Sequence, residues 1–447
     1  MRLEDVAAAL GIDETAREAL APGWEESQAE MPSDPLPFLD PETVEEACRA
    51  ALVSEEVAAA ARAFAPRIQQ DKALCALAWH YRWCLYPTAR HDWGRVWRWP
   101  DLEGVLGNDR GLFFLIVLLS NLPAVQELHR RHRVPDDVVR ETLLDLQLWL
   151  DHERQRHPEM PCSLGPGNLA WLSNHFRGQL FRLGRLQFQF AECGYPIRVY
   201  RHRESGLVVA VSQAGVRYEA NGGRDGAAEA EAPGAWVAEL TETEGEVIAH
   251  PIRPTGHALR EQVRLDKREW EQALGPGDPV LNLHIPAGSP LTHESCGESF
   301  RRAVAFFPRH FPERPYRAFL CGSWLLDAQI EDLLGPDSNI VRFQRELYLF
   351  PIPLHSRYLL SRVFGEETQE PEQVAAAPQR TAFQRALAAH LEAGRPLRPA
   401  GGGCFLLPED LRWGEQVYRR QELPWEMPAQ ASKLPVAPRD REGAEVR

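Results

Sequence analysis

The spacing of the apolar residues changes near residues 161–168, and this change limits which folds the chain can adopt. Before it, apolar residues recur every three or four positions, as they do along one face of a helix. After it, Leu186, Phe188 and Phe190 alternate with polar residues, which is typical of half-buried strands. The sequence therefore predicts the α+β class, with a helical N-terminal part followed by a mixed β-sheet that has flanking helices.

The chain of 447 residues is long enough for two or three domains. We expect a helical domain over residues 1–165 and a sheet domain over residues 166–353. Residues 354–447 are expected to form a partly disordered C-terminal extension. Within this extension we expect one helix near residues 381–393, a break in regular structure at Gly401–Gly403 and a proline-rich, charged end.

The net charge of −14 argues against nucleic acid or an anionic membrane as a partner, because both attract basic proteins. The longest strongly apolar run, residues 112–119, is much shorter than the ~20 residues that cross a bilayer. The first residues are acidic and carry no apolar signal segment. We therefore expect a cytoplasmic protein without a membrane partner.

The eight cysteines are scattered and include no Cys-x-x-Cys pair, so we expect free thiols in a reducing compartment. His152 and His157 are five residues apart, which differs from the spacing of a helix that binds zinc through two histidines. The sequence predicts no metal site.

The second half of the chain predicts an order of strand, helix, strand, helix and strand. Residues 280–285 alternate as a strand, and Thr292 is placed to cap a helix that Pro308 ends. A second strand covers residues 316–322, and a short helix precedes a long final strand over residues 339–351. This order predicts an α/β unit within the sheet.

Several short motifs in this stretch resemble those of a bacterial protein family. They are His284-Ile285-Pro286-Ala287-Gly288-Ser289-Pro290-Leu291-Thr292, Phe306-Phe307, Phe311-Pro312, Cys321-Gly322-Ser323-Trp324-Leu325-Leu326-Asp327 and Ser338-Asn339-Ile340-Val341-Arg342-Phe343. Over residues 35–353, the chain is similar to bacterial acyltransferase-domain proteins. These proteins join a helical N-acyltransferase N-terminal domain to a C-terminal domain similar to the GNAT superfamily of N-acetyltransferases.

This resemblance implies a fold and a co-substrate. In GNAT domains the fourth and fifth strands diverge, and acyl-CoA lies in the gap with its pyrophosphate on backbone N–H groups at the start of the next helix. The corresponding strands would be residues 279–285 and 316–322, with a phosphate loop over residues 286–293. The residues expected to bind acyl-CoA are Ala287, Gly288, Ser289, Thr292 and His293.

The chain departs from the usual GNAT pattern in two places. The phosphate loop has a single glycine, Gly288, and Pro290 removes a backbone donor. The helix after the fifth strand, over residues 327–335, contains no tyrosine to serve as the general acid. These departures favour either a modified mode of CoA binding or a lost or changed activity.

Acyl transfer from a thioester to an amine needs a base for the ammonium and an acid for the thiolate. His284 lies on the polar face of its strand, and it is a candidate base because histidine is the side chain that ordinarily titrates near neutrality. A structural hydrogen bond within the sheet is an equal interpretation. Cys321 and Ser323 are candidate catalytic acids, although a buried cysteine is more often inert. A nucleophilic dyad of Cys321 and His284 is the alternative chemistry.

The leading prediction is an N-acyltransferase that moves an acyl group from acyl-CoA to an amine, or a hydroxyl, of a small molecule or peptide. Arg342 and Arg345, on the predicted final strand, could bind a phosphate or carboxylate, with a solvated edge as the other interpretation. The competing functions are a non-catalytic GNAT-like protein that binds acyl-CoA or another small ligand as a sensor, and a purely structural protein that binds partners.

Overall fold

The computed structural model describes residues 1–423, apart from residues 34, 87, 225–232, 287, 355, 396 and 398–400. The chain divides into two compact units, Met1–Gln189 and Phe190–Arg447. The α+β class is confirmed, because the first unit is mainly helical and the second contains most of the strands. The proline-rich end that we expected to be disordered lies mostly outside the described residues.

The first unit is built from α-helices that enclose one apolar core. They are α1 Leu3–Leu10, α2 Glu14–Leu20, α3 Trp24–Ala29, α4 Pro41–Ala50, α5 Glu55–Gln70, α6 Lys72–Leu85, α7 Trp93–Val96, α8 Glu103–Leu106, α9 Arg110–Leu119, α10 Leu122–Arg131, α11 Asp136–Arg156 and α12 Pro166–Phe176. Short 3-10 turns lie at Pro37–Leu39, Thr88–Arg90 and Gly107–Asp109. Helix α4 shows how the sequence sets a helix start, since the Asp40 carboxylate accepts a hydrogen bond from the Thr43 N–H and Pro41 takes the first helical position.

Helix α9 lies in the centre of this core, and its residues from Gly111 to Leu119 are all buried. A Cβ atom at Gly111 would lie 2.0 Å from the Cys162 carbonyl oxygen, so glycine permits the close approach of two backbone segments. The segment Glu103–Arg131 is long and apolar enough to cross a membrane by length and composition. It is divided among α8, α9 and α10, however, and burial in the core explains its apolar composition.

The helical part continues past residue 165, where the sequence predicted a change to strands. The Gly165 N–H donates to the Asn168 side-chain oxygen over 2.9 Å, and Pro166 takes the first position of α12. The proline and glycine cluster therefore begins a helix. Strands β1 Leu180–Leu183 and β2 Leu186–Glu192 then form an antiparallel hairpin, as the alternation of apolar residues predicts.

The second unit contains several sheets. Its strands are β3 Ile197–His202, β4 Val208–Ser212, β5 Arg217–Tyr218, β6 Trp236–Val237, β7 Leu240–Glu242, β8 Glu246–Ala249, β9 Pro251–Arg253, β10 His257–Ala258, β11 Val263–Asp266, β12 Trp270–Leu274, β13 Pro279–His284, β14 Phe319–Ser323, β15 Tyr348–Ile352 and β16 Gly401–Leu406. An antiparallel sheet has the order β10-β9-β4-β3-β12, and smaller sheets have the orders β11-β8-β7 and β5-β6.

The strands that position the candidate site follow one another in the order β13-β14-β16-β15. β13 and β14 are parallel, whereas β16 is antiparallel to both of its neighbours. The helices of this unit are α13 His293–His310, α14 Gln329–Leu334, α15 Asn339–Arg345, α16 Ser356–Phe364 and α17 Ala382–Glu392, with 3-10 turns at Trp324–Leu326, Pro371–Ala376 and Pro408–Asp410.

The predicted long strand over residues 339–351 is wrong. The segment forms helix α15 and then strand β15. Ile340, Phe343 and Leu347 are spaced for one face of a helix, and Phe343 and Leu347 are buried. The prediction that Pro308 ends its helix is also wrong, because α13 continues to His310. A proline so close to the end of a helix removes a single N–H donor from the backbone ladder.

The predicted break at Gly401–Gly403 is wrong as well, because these glycines begin β16 between β14 and β15. A Cβ atom at Gly402 would lie 1.7 Å from the Leu326 carbonyl oxygen, and one at Gly403 would lie 2.2 Å from the Phe350 ring. The run of glycines therefore lets other parts of the chain pack closely on both faces of a strand. The predicted helix near residues 381–393 is present as α17.

Candidate functional site

The candidate site lies where two parallel strands part. β13 and β14 pair at Leu281 with Phe319 and at Asn282 with Leu320. In the described structure this pairing ends there, although β13 continues to His284 and β14 to Ser323. The two strands are therefore adjacent and parallel, as the sequence predicted, and the ends of both extend beyond their shared hydrogen bonds.

The two faces of this strand pair differ in chemistry. Phe319 contacts Phe300 of α13, with ring centres 5.1 Å apart, so this helix covers the face that also carries Leu281. Side chains alternate along a strand, which puts Asn282 and His284 on the opposite face. Both are half-buried, and Asn282 Nδ2 lies 3.4 Å from His284 Nε2. The candidate base His284 is thus beside a polar neighbour at the diverging end of β13.

Tyr195 brings a hydroxyl to the same face. A Cβ atom at Gly322 of β14 would lie 2.0 Å from the Tyr195 hydroxyl oxygen. Gly322 alternates with Cys321 and shares a face with Leu320, which pairs with Asn282. The Tyr195 hydroxyl and the His284 imidazole therefore lie on one face of the strand pair, near its open end.

The surroundings of Tyr195 keep its hydroxyl protonated. Its ring packs edge-on against Phe350, with centres 5.1 Å apart. Burial raises the pKa of Tyr195, and the neighbouring thiols Cys321 and Cys404 raise it further. Sequence patterns do not identify this residue, because Tyr195 precedes β3 and is far from β14 in the sequence. Its sequence neighbours Gly194 and Pro196 do not indicate a contact with β14.

The structure places Cys321 and Ser323 away from His284. Both flank Gly322 along β14, so their side chains lie on the opposite face from position 322. This is the face of Phe319, which α13 covers. Cys321 is buried and stands opposite Cys404 of β16, whose pKa is raised by burial and by Cys321. Ser323 Oγ accepts a hydrogen bond from the Leu325 N–H over 3.2 Å and so begins the 3-10 turn Trp324–Leu326. The Cys321 and His284 side chains therefore belong to opposite faces, and a dyad of the two is not formed.

The predicted phosphate loop leads into the N-terminus of α13. Thr292 Oγ1 accepts a hydrogen bond from the Ser295 N–H over 3.2 Å, which confirms the predicted cap. Gly288 and Ser289 are exposed, and Ala287 lies outside the described residues. Gly288 has a φ of +112°, a backbone conformation that favours glycine. Gly288 therefore lets the loop adopt a backbone conformation that other residues rarely take.

His293, also expected to bind acyl-CoA, has its side chain engaged elsewhere. His293 Nε2 lies 2.9 Å from Oε1 of the buried Glu346, and the Trp413 indole N–H donates to the His293 carbonyl over 2.8 Å. Glu346 Oε2 accepts from the Gly414 N–H over 2.9 Å. These contacts fix the first turn of α13 against the segment that carries Trp413, and the His293 side chain is held by Glu346.

Arg342 and Arg345, the candidates for binding a phosphate or carboxylate, lie on helix α15 and not on the predicted strand, and they differ in their contacts. Arg342 Nη2 lies 3.6 Å from Glu294 in the first turn of α13, whereas Arg345 pairs with Glu331 at 2.6 Å. Arg342 therefore brings a cation beside the α13 N-terminus, and Arg345 is held by a carboxylate. Among the described residues, no group of three or more histidine, cysteine or acidic side chains is arranged to hold a metal ion.

Two families match the chain, one for each part of the fold. The N-acyltransferase N-terminal domain matches residues 42–178, and the GNAT-like C-terminal domain matches residues 180–404. No protein with a curated description is similar enough to match.

Crystal structures of an acyltransferase have the same fold. Three of them are 25% identical to the chain, with a TM-score of 0.58, and the alignments cover 91% of this chain and 99% of theirs. They were solved as complexes with decanoyl-CoA and teicoplanin, with CoA and 10C-teicoplanin, and, for a mutant of that acyltransferase, with octanoyl-CoA. With the GNAT-like match over half of its length and the N-acyltransferase match before it, the chain belongs to the acyltransferase family that joins an N-acyltransferase N-terminal domain to a GNAT-like C-terminal domain.

Proposed function

We propose that this protein transfers an acyl group from acyl-CoA to an amine, or a hydroxyl, of a small molecule or peptide. The observation that carries the proposal is the diverging end of β13 and β14, with the His284 imidazole and the Tyr195 hydroxyl on one face and the start of α13 beyond it. A base, a proton donor and an anion-binding helix terminus are the parts that this reaction needs.

Acyl-CoA is proposed to bind with its pyrophosphate at the α13 N-terminus. The N–H groups of the first turn and the helix dipole of this 18-residue helix favour negative charge there. Gly288 and Ser289 are exposed before it, and the Arg342 guanidinium offsets the negative charge of Glu294 in its first turn. Decanoyl-CoA and octanoyl-CoA bound to the structurally similar acyltransferase support a CoA thioester as the co-substrate.

The thioester would then lie in the gap between β13 and β14. His284 takes a proton from the acceptor ammonium, directly or through a water molecule. The resulting amine attacks the thioester carbonyl carbon, and the carbon–sulfur bond breaks as the new carbon–nitrogen bond is completed. The Tyr195 hydroxyl gives its proton to the departing sulfur. The second proton of the attacking nitrogen returns to Tyr195 through solvent, and His284 releases the first proton to water. Burial keeps Tyr195 protonated in the resting protein, which suits a group that starts the reaction as a donor.

The acceptor is proposed to be a small molecule or a peptide. This rests on the complex of the similar acyltransferase with teicoplanin, a glycopeptide. An amine is the first choice, since the first unit matches an N-acyltransferase domain. A hydroxyl acceptor would use the same base, because His284 would remove the hydroxyl proton during attack.

The test begins with thermal-shift measurements against CoA, acetyl-CoA and longer acyl-CoAs, followed by a free-thiol release assay with a panel of amines. We expect stabilisation by acyl-CoA and amine-dependent thiol release. His284→Gln should lower the rate by roughly 10²- to 10⁴-fold with CoA affinity unchanged, and part of the loss should be recovered at higher pH, where the amine deprotonates unaided. His390→Gln on α17 is the matched control and should behave as the wild type.

Two outcomes would contradict the proposal. Binding of acyl-CoA without thiol release across the amines would favour the sensor instead. If His284→Gln leaves turnover unchanged, or unfolds the protein, then this histidine is structural and is not the base.

A further inference from the structure

The first unit contains an apolar groove that the acyl-transfer site does not use. The groove has a volume of about 590 Å³ and is lined by residues of α4, α6, α9 and α10 and of the turn Pro37–Leu39. The apolar residues that define it are Phe38, Ala47, Trp79, Ile116, Leu119 and Leu122. Its size and lining are those of sites for small organic ligands.

Among the described residues, the cation that lines this groove is Arg82, and it forms no ion pair. The Arg82 guanidinium carbon lies 5.6 Å from the centre of the Trp79 ring and 5.9 Å from that of Phe38. In the described part of the chain, the Arg82 guanidinium has no ion pair and no hydrogen bond to another side chain. Burial lowers the pKa of Arg82, yet an arginine keeps its charge in proteins. A half-buried cation held only by aromatic rings favours an anionic ligand.

The lining also limits which anion can bind. Ser120 and Gln126 are neutral, and the one acidic side chain that lines the groove within the described structure, Glu46, is exposed. A nucleotide or another polyanion would need more than one cation to balance its charge. A molecule with one negative group and a long apolar body satisfies both Arg82 and the apolar surface. A planar carboxylate suits a guanidinium because it can accept two parallel hydrogen bonds.

We propose that this groove binds a free fatty acid, with its carboxylate on Arg82 and its alkyl chain along Ile116, Leu119 and Leu122. The occupant is a carboxylic acid with an unbranched chain. The proposal does not depend on acyl transfer, because none of these residues belongs to the strand pair or to the loop before α13.

Isothermal titration of the full chain tests this proposal. The ligands are decanoate, dodecanoate and the neutral alcohol decanol, each below the concentration at which it forms micelles. Dodecanoate should bind roughly tenfold more tightly than decanoate, because two more methylene groups leave water. Decanol should bind at least tenfold more weakly than decanoate, since it leaves Arg82 unpaired.

Two variants separate the carboxylate contact from the apolar contact. Arg82→Gln should weaken decanoate binding at least tenfold and leave decanol binding unchanged. Ala47→Phe, which fills the groove, should abolish binding of both ligands while thiol release and CoA affinity stay at wild-type values. Arg49→Gln, which changes an exposed arginine of α4 that pairs with Glu45, is the control and should change neither affinity.

Equal affinity for decanoate and decanol would overturn the proposal, as would an unchanged decanoate affinity in Arg82→Gln. Thermal melting of each variant shows whether it is folded. If Ala47→Phe does not fold, the affinities of Arg82→Gln for decanoate and decanol still test whether Arg82 binds the carboxylate. If the wild type releases no thiol, the proposed acyl transfer is contradicted, but the measured affinities for decanoate and decanol still test the fatty-acid site.

Discussion

The hydroxyl of Tyr195 lies directly against the backbone of Gly322, in the place that a side chain at position 322 would occupy. The two residues are far apart in the sequence, and the glycine is what allows the tyrosine to reach β14. Gly322 therefore has a role in positioning Tyr195, and no catalytic motif in the sequence indicates this role. It admits a protonated hydroxyl to the face of the strand pair that carries His284.

A methyl group at position 322 should therefore displace the Tyr195 hydroxyl. We expect Gly322→Ala to lower the rate of thiol release roughly 10²-fold, the usual size of a lost proton donor, with CoA affinity unchanged. Tyr195→Phe should have the same effect. Gly194→Ala is the matched control, because a Cβ atom there meets no other atom within 4 Å, and its rate should equal that of the wild type.

The double variant decides whether the two residues act together. If Gly322→Ala works only by moving the hydroxyl, adding it to Tyr195→Phe should cost no further activity. Fully additive losses would show that Gly322 acts in some other way.

Gly288 gives a second prediction, on ligand binding. Its φ of +112° is strained for any other residue, and a β-branched side chain is least able to adopt it. Gly288→Val should therefore change the loop conformation and weaken CoA binding about tenfold or more, measured by titration. The melting temperature should stay nearly unchanged, because a side chain at this exposed position meets no atom within 4 Å.

Gly365→Val is the matched control, because Gly365 has a φ of +113° and no atom within 4 Å of its Cβ position, and its CoA affinity should equal that of the wild type. An unaltered CoA affinity in Gly288→Val would place the pyrophosphate elsewhere on the protein.

The parallel strand pair could be predicted from the sequence because its signals are local. Alternation along residues 280–285 and the cap at Thr292 each depend on neighbouring residues. The position of Tyr195 could not be predicted, since it depends on how distant segments pack. The same limit explains the error at Gly401–Gly403, where glycines that usually interrupt regular structure instead permit close packing on β16.

Gly402 allows this explanation to be tested. A Cβ atom there would lie 1.7 Å from the Leu326 carbonyl oxygen, which belongs to the backbone and cannot simply rotate away. We expect Gly402→Ala to lower the free energy of unfolding by about 1–3 kcal/mol, the usual cost of overpacking. Urea unfolding measures the change. Gly245→Ala, at a position with open space around its Cβ, should change stability little; an equal loss in both variants would refute the packing explanation.

The last prediction concerns acid stability and His129 of α10. This side chain is 4% exposed, and neither of its ring nitrogens has a hydrogen-bond partner within the described structure. Burial, with a smaller effect of the neighbouring His132, lowers the pKa of His129 to about 4. The folded protein therefore holds this ring neutral at pH values where the unfolded chain would protonate it.

Because the unfolded state binds the additional proton between about pH 6.5 and the folded pKa of about 4, stability falls as the pH is lowered through that range. His129 alone accounts for a loss of up to about 3 kcal/mol by pH 4. Burial also lowers the pKa of His80 and His91, to about 3 and about 4, so the same direction of change is expected from them.

His129→Leu should raise stability at pH 7, by removing two unsatisfied polar atoms, and raise it further at pH 5. Urea unfolding of the wild type and the variant at both pH values measures the difference in the free energy of unfolding. His152→Leu, at an exposed position, is the control. If the gain in the free energy of unfolding is the same at both pH values, His129 does not titrate in this range.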